Sequence, residues 1–331
     1  MILIISDVGG SVNDVIDWIA SKNIVVHRLN PLYDKSILIH EITLNDGTSD
    51  IEISYKNNVN TKFSDYNSIW IWHSNLKFAN AEAVLTKNEN NDITKKIMQN
   101  INQHHRVLIN YLGFYLYLNK EKVIGNYTVQ SLNKLEVLHR AKKIGINIPE
   151  SFIVTKKKRL IELFQKKSYI TKPYYETSYI EYGDIGFQNY TTALNKVDFL
   201  SMEEDIFPTL IQEKIEKEFE LRIFYIQGQF FSMAIFSQQS SKTEVDFRNY
   251  NFDNPNRTVP YKLPKNIEKK FSLLFGELKL NCGSIDMIYS KNKKLIFMEI
   301  NPVGQFGMIS IPCNYYLEEI LMKILTYDQP K

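Results

Sequence analysis

The chain has 331 residues, of which 44% are hydrophobic and 13% aromatic, so it can bury a large core and wholesale disorder is excluded. Lys plus Arg exceed Asp plus Glu by only 40 − 37 = 3, and this balance favours no nucleic-acid partner. Two cysteines, Cys282 and Cys313, are too few for a disulfide scaffold, and their apolar surroundings predict buried free thiols. The length predicts two or three packed subdomains.

No stretch approaches the roughly 20 apolar residues that a membrane span needs, so no membrane partner is expected. The N-terminal run Met1–Ser6 has no basic leader and no small-residue cleavage site. It therefore predicts a first buried strand and not a signal peptide. We expect a cytoplasmic, reduced protein.

Residues 1–124 are predicted to form an α/β domain. Ile2–Ser6 is almost wholly apolar, Asn13–Lys22 has helical spacing, and Ile24–Leu29 returns as a strand, which makes a β-α-β opening. Further along, the pattern predicts a strand, a helix and another strand at Ser68–Trp72, Ile93–Arg106 and Val107–Asn110.

Residues 125–207 are predicted to form a central subdomain. Its first element is an amphipathic helix, Asn133–Ile144, which ends at Gly145. The Tyr- and Gly-rich segment 174–190 predicts a loop or a hairpin. Between them the pattern predicts a strand, a helix and a strand at Ser151–Val154, Lys158–Lys166 and Ser168–Pro173.

Residues 208–331 are predicted to form a C-terminal subdomain with two hairpins. The first joins Glu220–Gln227 to Gln229–Phe236, and the second joins Gly283–Tyr289 to Leu295–Ile300. The remaining elements are a strand, a loop and two helices at Thr209–Glu213, 249–264, Ile267–Leu278 and Tyr315–Leu325.

The second hairpin carries the most informative polar residues. Side chains alternate along a strand, so Glu299 and Asn301 project from one face. If Lys291–Lys294 form the turn and residue 290 pairs with 295, Asp286 lies opposite Glu299, at about 5 Å between Cβ atoms. Two carboxylates and an amide oxygen are ligands that Mg²⁺ takes beside nucleotide phosphates. The alternative is a solvated polar face, although an unpaired charge within the apolar string around Glu299 would be costly.

A second group of residues suits a nucleotide. Lys172, at the end of a strand, can reach a phosphate as a point charge. The extended segment Ile211–Ile215 offers its backbone to an adenine edge. Glu220 and Arg222 share one strand face, where an acid can hold ribose hydroxyls and a guanidinium can fork onto a phosphate. Taken singly, each has a plainer alternative, a solvated lysine or a surface ion pair.

The order and spacing of these residues resemble the ATP-grasp superfamily. The string runs through Gln212-Glu, Glu220-Leu-Arg222, Asp246-Phe-Arg248, Asp286 and Met298-Glu-Ile-Asn-Pro302. The ending, Asn301-Pro-Val-Gly-Gln-Phe-Gly307 and Pro312-Cys-Asn-Tyr-Tyr-Leu-Glu318, looks most like the graspetide ligases of microviridin and "grasp-with-spasm" type. The similarity covers residues 125–325 well and the first hundred residues only in pattern.

The resemblance implies an α/β (α+β) ATP-grasp fold with an N-terminal pre-ATP-grasp domain, a central domain and a C-terminal antiparallel-sheet domain. It implies ATP and Mg²⁺ as cofactors. It also implies particular roles: phosphate contacts by Lys134 and Lys172, an adenine site at Gln212, Glu213 and Ile215, ribose binding by Glu220, metal binding by Asp286, Glu299 and Asn301, and stabilisation of the transferring phosphoryl group by Arg222 and Arg248.

The function implied by the resemblance is crosslinking of a ribosomally made precursor peptide with a leader and a core. An Asp or Glu side chain would be phosphorylated and then attacked by Ser, Thr or Lys, giving an ester or amide macrocycle. Similar ligases are dimers. One departure concerns leader contacts: where a Trp-Tyr-Arg-Arg-like string is expected, this chain reads Ile69-Trp-Ile-Trp-His73-Ser74. His73 is a candidate substitute or a structural residue. The segments 174–190 and 237–262 are candidate substrate-facing parts where a leader peptide could dock, or alternatively a disordered lid.

Two other functions stay open. One is an amino-acid or glutamate ligase that acts on free amino acids or on a protein tail, with the same activating chemistry and a different acceptor pocket. The other is a non-catalytic nucleotide-binding interaction module.

Overall fold

The structure is a computed structural model, and it describes the following parts of the chain: residues 1–6, 9–30, 38–45, 48–55, 59–72, 77–78, 92–119, 123–126, 132–174, 179–182, 185–188, 191–194, 199, 202–238 and 255–326.

The N-terminal part contains a parallel sheet with strand order β2-β1-β6-β8. Its central strand β1 is buried at every position, because parallel sheets are covered on both faces. The strands are β1 Ile2–Ser6, β2 Val26–Leu29, β6 Ser68–Trp72 and β8 Val123–Ile124. A second sheet, in the order β5-β4-β3-β7, comprises β3 Leu38–Asn45, β4 Thr48–Tyr55, β5 Val59–Lys62 and β7 Lys77–Phe78. A short 3₁₀ helix, Phe63–Asp65, follows β5.

Among the residues described here, the helices α1 Gly10–Ala20 and α2 Asp92–Leu118 accompany these sheets. The predicted strand Val107–Asn110 is wrong, since these residues lie within α2. Val107 is 66% exposed, whereas Leu112, Tyr115 and Leu116 are buried on one face. This 3–4 residue periodicity is helical, and the short apolar run alone did not reveal it. No helix among the described residues is both long and apolar enough to cross a bilayer.

The central part is an antiparallel sheet in the order β13-β10-β14-β9, with helices α3 Lys134–Lys143 and α4 Lys157–Phe164. Asn133 caps α3, and its side-chain oxygen accepts from the backbone N–H groups of Leu135 and Glu136. The strands are β9 Ser151–Lys156, β10 Tyr169–Thr171, β13 Thr192–Ala193 and β14 Asp205–Glu213. Within 174–190, β11 Tyr179–Tyr182 and β12 Ile185–Gln188 form a hairpin. Because β14 pairs with β9 and β10, this sheet extends to Glu213, past residue 207. The three-domain division remains a proposal.

The C-terminal part is an antiparallel sheet in the order β17-β16-β15-β18-β19. The two predicted hairpins are present. Residues 257–261, predicted as loop, form an edge strand, and a short helix at 307–313 was not predicted. The elements are β15 Lys217–Ile226, β16 Gln229–Phe236, β17 Arg257–Tyr261, α5 Lys265–Glu277, β18 Cys282–Ser290, β19 Leu295–Asn301, α6 Gly307–Cys313 and α7 Leu317–Thr326.

The two faces of this C-terminal sheet pack against different parts of the chain. Leu221 and Ile223 face a core shared with α3 and α5. Phe224 and Ile226 face a core that also contains residues of α1, α6 and α7, and α1 packs against α7. Glu220, Arg222 and Asp286 lie farther along this second face, where the candidate site is found.

Both cysteines are buried free thiols, as predicted. Burial raises the pKa of the Cys282 thiol to about 12, so this thiol is neutral at physiological pH.

Candidate active site

Asp286, Glu299 and Asn301 lie together on one face of the β18–β19 hairpin. Asp286 is the register partner of Glu299, and Ser284 is the partner of Asn301. The predicted turn register was wrong by one residue, because Tyr289 pairs with Leu295. A bulge between Asp286 and Met287 absorbs this difference and restores the pairing of the two carboxylates.

Arg222 lies directly across from Asp286 on the neighbouring strand β15. One terminal guanidinium nitrogen donates to both oxygens of Asp286, at 2.7 and 2.8 Å. The side chains are 10% and 18% exposed, so this ion pair is largely removed from water. Asn301 Nδ2 also donates to Asp286 Oδ2, at 3.4 Å. Asp286 is therefore held on two sides.

Lys134, the first residue of α3, brings a second cation to the cluster. Its Nζ lies 3.3 Å from Glu299 Oε2 and also donates to the backbone oxygen of Pro173, at 3.4 Å. Lys172, the predicted phosphate contact, immediately precedes Pro173 and is half-buried. Through Lys134, residues from α3, from the segment that follows β10 and from β19 meet in one place.

The residue types at this cluster fit a divalent cation. Two carboxylates and an amide oxygen from adjacent strands are the hard oxygen donors that Mg²⁺ prefers. Two buried polar atoms beside them, Arg222 Nε and Ser284 Oγ, have no hydrogen-bond partner among the described residues. Within the described ranges, no three His, Cys, Asp or Glu side chains are grouped tightly enough to hold a metal.

Gly304 packs against Ser284, the register partner of Asn301. A Cβ at this position would lie 1.8 Å from Ser284 Oγ and 2.2 Å from Ser284 Cβ. Only glycine lets the chain leaving β19 pack this closely behind the site.

The residues predicted at the adenine site lie at the end of β14. Gln212 is fully buried and its Nε2 donates to Ser151 Oγ at 3.0 Å, while its Oε1 has no partner in the part of the chain described. Glu213 forms an ion pair with Lys167 at 3.1 Å. Ile215 is half-buried in the short connection to β15, which is anchored where Lys214 N–H donates to Ser168 O.

Glu220 sits in a buried polar network that the sequence did not reveal. Lys217 Nζ donates to Glu220 Oε1 at 2.5 Å, and Ser237 Oγ donates to Oε2 at 2.8 Å. All three residues are buried. A carboxylate oxygen has more than one acceptor site, so these contacts still allow Glu220 to accept ribose hydroxyls. Strand alternation alone would place residues 217 and 220 on opposite faces, so it did not predict the Lys217–Glu220 contact. A register irregularity between Lys217 and Phe219 turns Lys217 onto the same face as Glu220.

The remaining candidates, Asp246, Arg248, His73 and Ser74, lie outside the described residues. So do parts of the segments 174–190 and 237–262.

The chain has the ATP-grasp fold. No protein-family model and no curated protein matches its sequence, but solved structures match its fold along nearly its whole length. A RiPP-associated ATP-grasp ligase from Chryseobacterium gregarium, in complex with ADP and a leader and core peptide, superposes with a TM-score of 0.72 at 22% identity, covering 98% of this chain and 94% of that one.

Two further structures match over similar lengths. The macrocyclase MdnC from Microcystis aeruginosa MRC, bound to the precursor peptide MdnA, gives a TM-score of 0.69 at 21% identity, covering 98% of this chain and 99% of that one. The ATP-grasp ligase PsnB, complexed with a minimal precursor, Mg and ADP, gives a TM-score of 0.68 at 12% identity, covering 98% and 96%. The fold expected from the resemblance is therefore confirmed.

Proposed function

We propose that the chain is an ADP-forming ATP-grasp ligase that crosslinks a ribosomally made peptide in the cytoplasm. The observation that carries this proposal is the cluster of Asp286, Glu299, Arg222 and Lys134. It places two carboxylates and two cations together at a partly buried site of an ATP-grasp fold. The structurally similar ligases with a bound precursor peptide favour a peptide as the substrate.

The nucleotide and the metal would be held by the predicted residues. Asp286, Glu299 and Asn301 would bind Mg²⁺, and Lys134, Lys172, Arg222 and Arg248 would contact phosphate oxygens. Gln212, Glu213 and Ile215 would form the adenine site, and Glu220 would bind the ribose. When bound, Mg²⁺ neutralises charge on the phosphates during transfer.

The reaction would proceed in two steps. A carboxylate oxygen of an Asp or Glu in the peptide attacks the γ-phosphorus of ATP, which forms an acyl phosphate and releases ADP. A Ser or Thr hydroxyl, or a Lys amine, then attacks the acyl carbon, loses its proton, and releases phosphate. The chain's residues supply positioning and positive charge, which are the main requirements of phosphoryl transfer.

The test is incubation with ATP, Mg²⁺ and a short Ser/Thr- and Asp/Glu-rich peptide encoded beside this chain's gene. The peptide should lose the mass of one water per crosslink, with one ADP formed each time. Glu299→Gln should abolish both products while the fold is kept. The control is Glu216→Gln, whose side chain is 79% exposed, and it should behave as the wild type.

ADP formation with free amino acids, and none with the verified peptide, would support the amino-acid ligase instead. Tight nucleotide binding with no ADP formation would support the non-catalytic module. The homodimer belongs to the same proposal, and light scattering of the purified protein tests it.

A further inference from the structure

Among the described residues, an open pocket lies between α1 and the helices α6 and α7, and it shares no residue with the candidate active site. Its volume is ≈ 580 Å³. Asp14, Asp17 and Trp18 recur at helical spacing on one side of α1, beside the buried stripe of that helix, and Ser21 at its C-cap also lines the pocket. Ile311 of α6 and Glu318 of α7 complete the lining. We call it the acidic pocket.

Glu318 is the unusual member of the acidic pocket. Only 9% of this residue is exposed, although it carries a carboxylate. Its Oε2 accepts from Ser310 Oγ at 2.5 Å, but its Oε1 is buried and has no partner among the described residues. A buried carboxylate oxygen without a donor is unfavourable unless a ligand supplies one.

No Lys, Arg or His is among the described residues that line the acidic pocket. None of the ion pairs formed within the described ranges involves Asp14, Asp17 or Glu318. The next residue, Glu319, does have a cation, since its Oε1 lies 2.5 Å from Lys323 Nζ. Three carboxylates thus line one pocket, so its ligand should be positively charged.

The arrangement favours an extended organic cation over a metal ion. No three acidic, His or Cys side chains in the described part of the chain are close enough to hold a metal. A planar guanidinium can fork onto a carboxylate and stack on an indole, and Trp18 offers a partly exposed ring at the rim. The exposed side chain of Ile311 gives the alkyl stem of the ligand an apolar contact.

We propose that the acidic pocket binds the guanidinium group of an arginine side chain presented by a peptide ligand. Glu318 accepts from it at the bottom of the pocket, Asp14 and Asp17 balance its charge, and Trp18 covers its flat face. This binding needs neither ATP nor catalysis, so it can succeed or fail independently of the proposed ligase activity.

The test uses ¹⁹F NMR of the full chain labelled with 5-fluorotryptophan. The chain has three tryptophans; Trp18 lines the pocket, and the other two, Trp70 and Trp72, are buried and report on the fold. Trp18→Phe assigns the Trp18 resonance. Titration with N-acetyl-arginine amide should shift this resonance saturably, whereas the neutral isostere N-acetyl-citrulline amide should not, and N-acetyl-lysine amide should bind more weakly.

Glu318→Gln keeps an acceptor for Ser310 but removes the charge, and it should weaken arginine binding about tenfold or more. Glu319→Gln, one residue away, should leave the affinity unchanged. If Glu318→Gln disturbs the Trp70 and Trp72 resonances, Asp17→Asn on the exposed wall replaces it and should weaken binding several-fold. The proposal is overturned by any of three results: no saturable shift with arginine, equal binding of citrulline or lysine, or unchanged affinity in a folded acidic-pocket variant.

Discussion

Replacing Lys134 by methionine distinguishes two roles of this residue: partner in a structural ion pair with Glu299, and ligand of a nucleotide phosphate. The Lys134 Nζ and Glu299 Oε2 atoms are 3.3 Å apart, and the side chains are 25% and 14% exposed. At that distance the gross attraction is about 5 kcal/mol for an effective dielectric constant of about 20. Desolvation offsets most of it. Exposed pairs contribute about 0–1 kcal/mol, and breaking a buried pair costs about 3–5 kcal/mol. For this intermediate pair we expect a loss of about 1–2 kcal/mol in unfolding free energy.

The expected effect on nucleotide binding is larger. A hydrogen bond from an ammonium group to a phosphate contributes about 1.5–3 kcal/mol, so the Kd for a non-hydrolysable ATP analogue should rise roughly 10- to 150-fold. Urea denaturation measures the first quantity and calorimetric titration the second. Lys142→Met, an exposed change at the other end of α3, is the control and should alter neither. A Kd within about twofold of wild type, together with the expected loss of stability, would make Lys134 purely structural and refute the reasoning.

Three further predictions concern stability, each measured by urea denaturation. Gly304→Ala should destabilise the fold by about 1–3 kcal/mol through overpacking against Ser284. Adding Ser284→Gly to that variant should recover part of the lost stability. Unchanged stability of Gly304→Ala would contradict the close approach. Lys217→Met should cost about 3–5 kcal/mol by removing the buried ion pair with Glu220, and Lys217→Met with Glu220→Gln should cost less than Lys217→Met alone; strictly additive losses would exclude coupling. Burial raises the pKa of Asp50, but hydrogen bonds to its carboxylate outweigh this and lower it, so its stabilisation is present above the unfolded-state pKa of about 3.9 and is lost as pH falls below it. Asp50→Asn should flatten that acid limb, and an unchanged limb would exclude this contribution.

The positions of the two carboxylates could be predicted from sequence because strand alternation and cross-strand pairing are local rules. Alternation placed Glu299 and Asn301 on one face, and the pairing placed Asp286 opposite Glu299. The turn register was nevertheless wrong by one residue. The bulge that corrects it depends on how the strands twist and pack, which no sequence pattern of this hairpin indicates.

The cations around these carboxylates were harder to predict. Lys134 reaches Glu299 from a helix 165 residues earlier in the chain, a contact that depends on how α3 packs against the sheet. The partner of Glu220, Lys217, depends on a local strand irregularity. The strand prediction at Val107–Asn110 was wrong for another reason. A run of four residues, taken alone, does not distinguish a strand from one turn of a long amphipathic helix.

The central claim is that Asp286, Glu299 and Asn301 hold the metal that accompanies the nucleotide. Electron paramagnetic resonance of Mn²⁺, titrated into the protein with a non-hydrolysable ATP analogue, measures this affinity directly. The account predicts that Glu299→Gln weakens Mn²⁺ binding at least about tenfold while the fold is kept. Equal Mn²⁺ affinity in the wild type and in Glu299→Gln would contradict it.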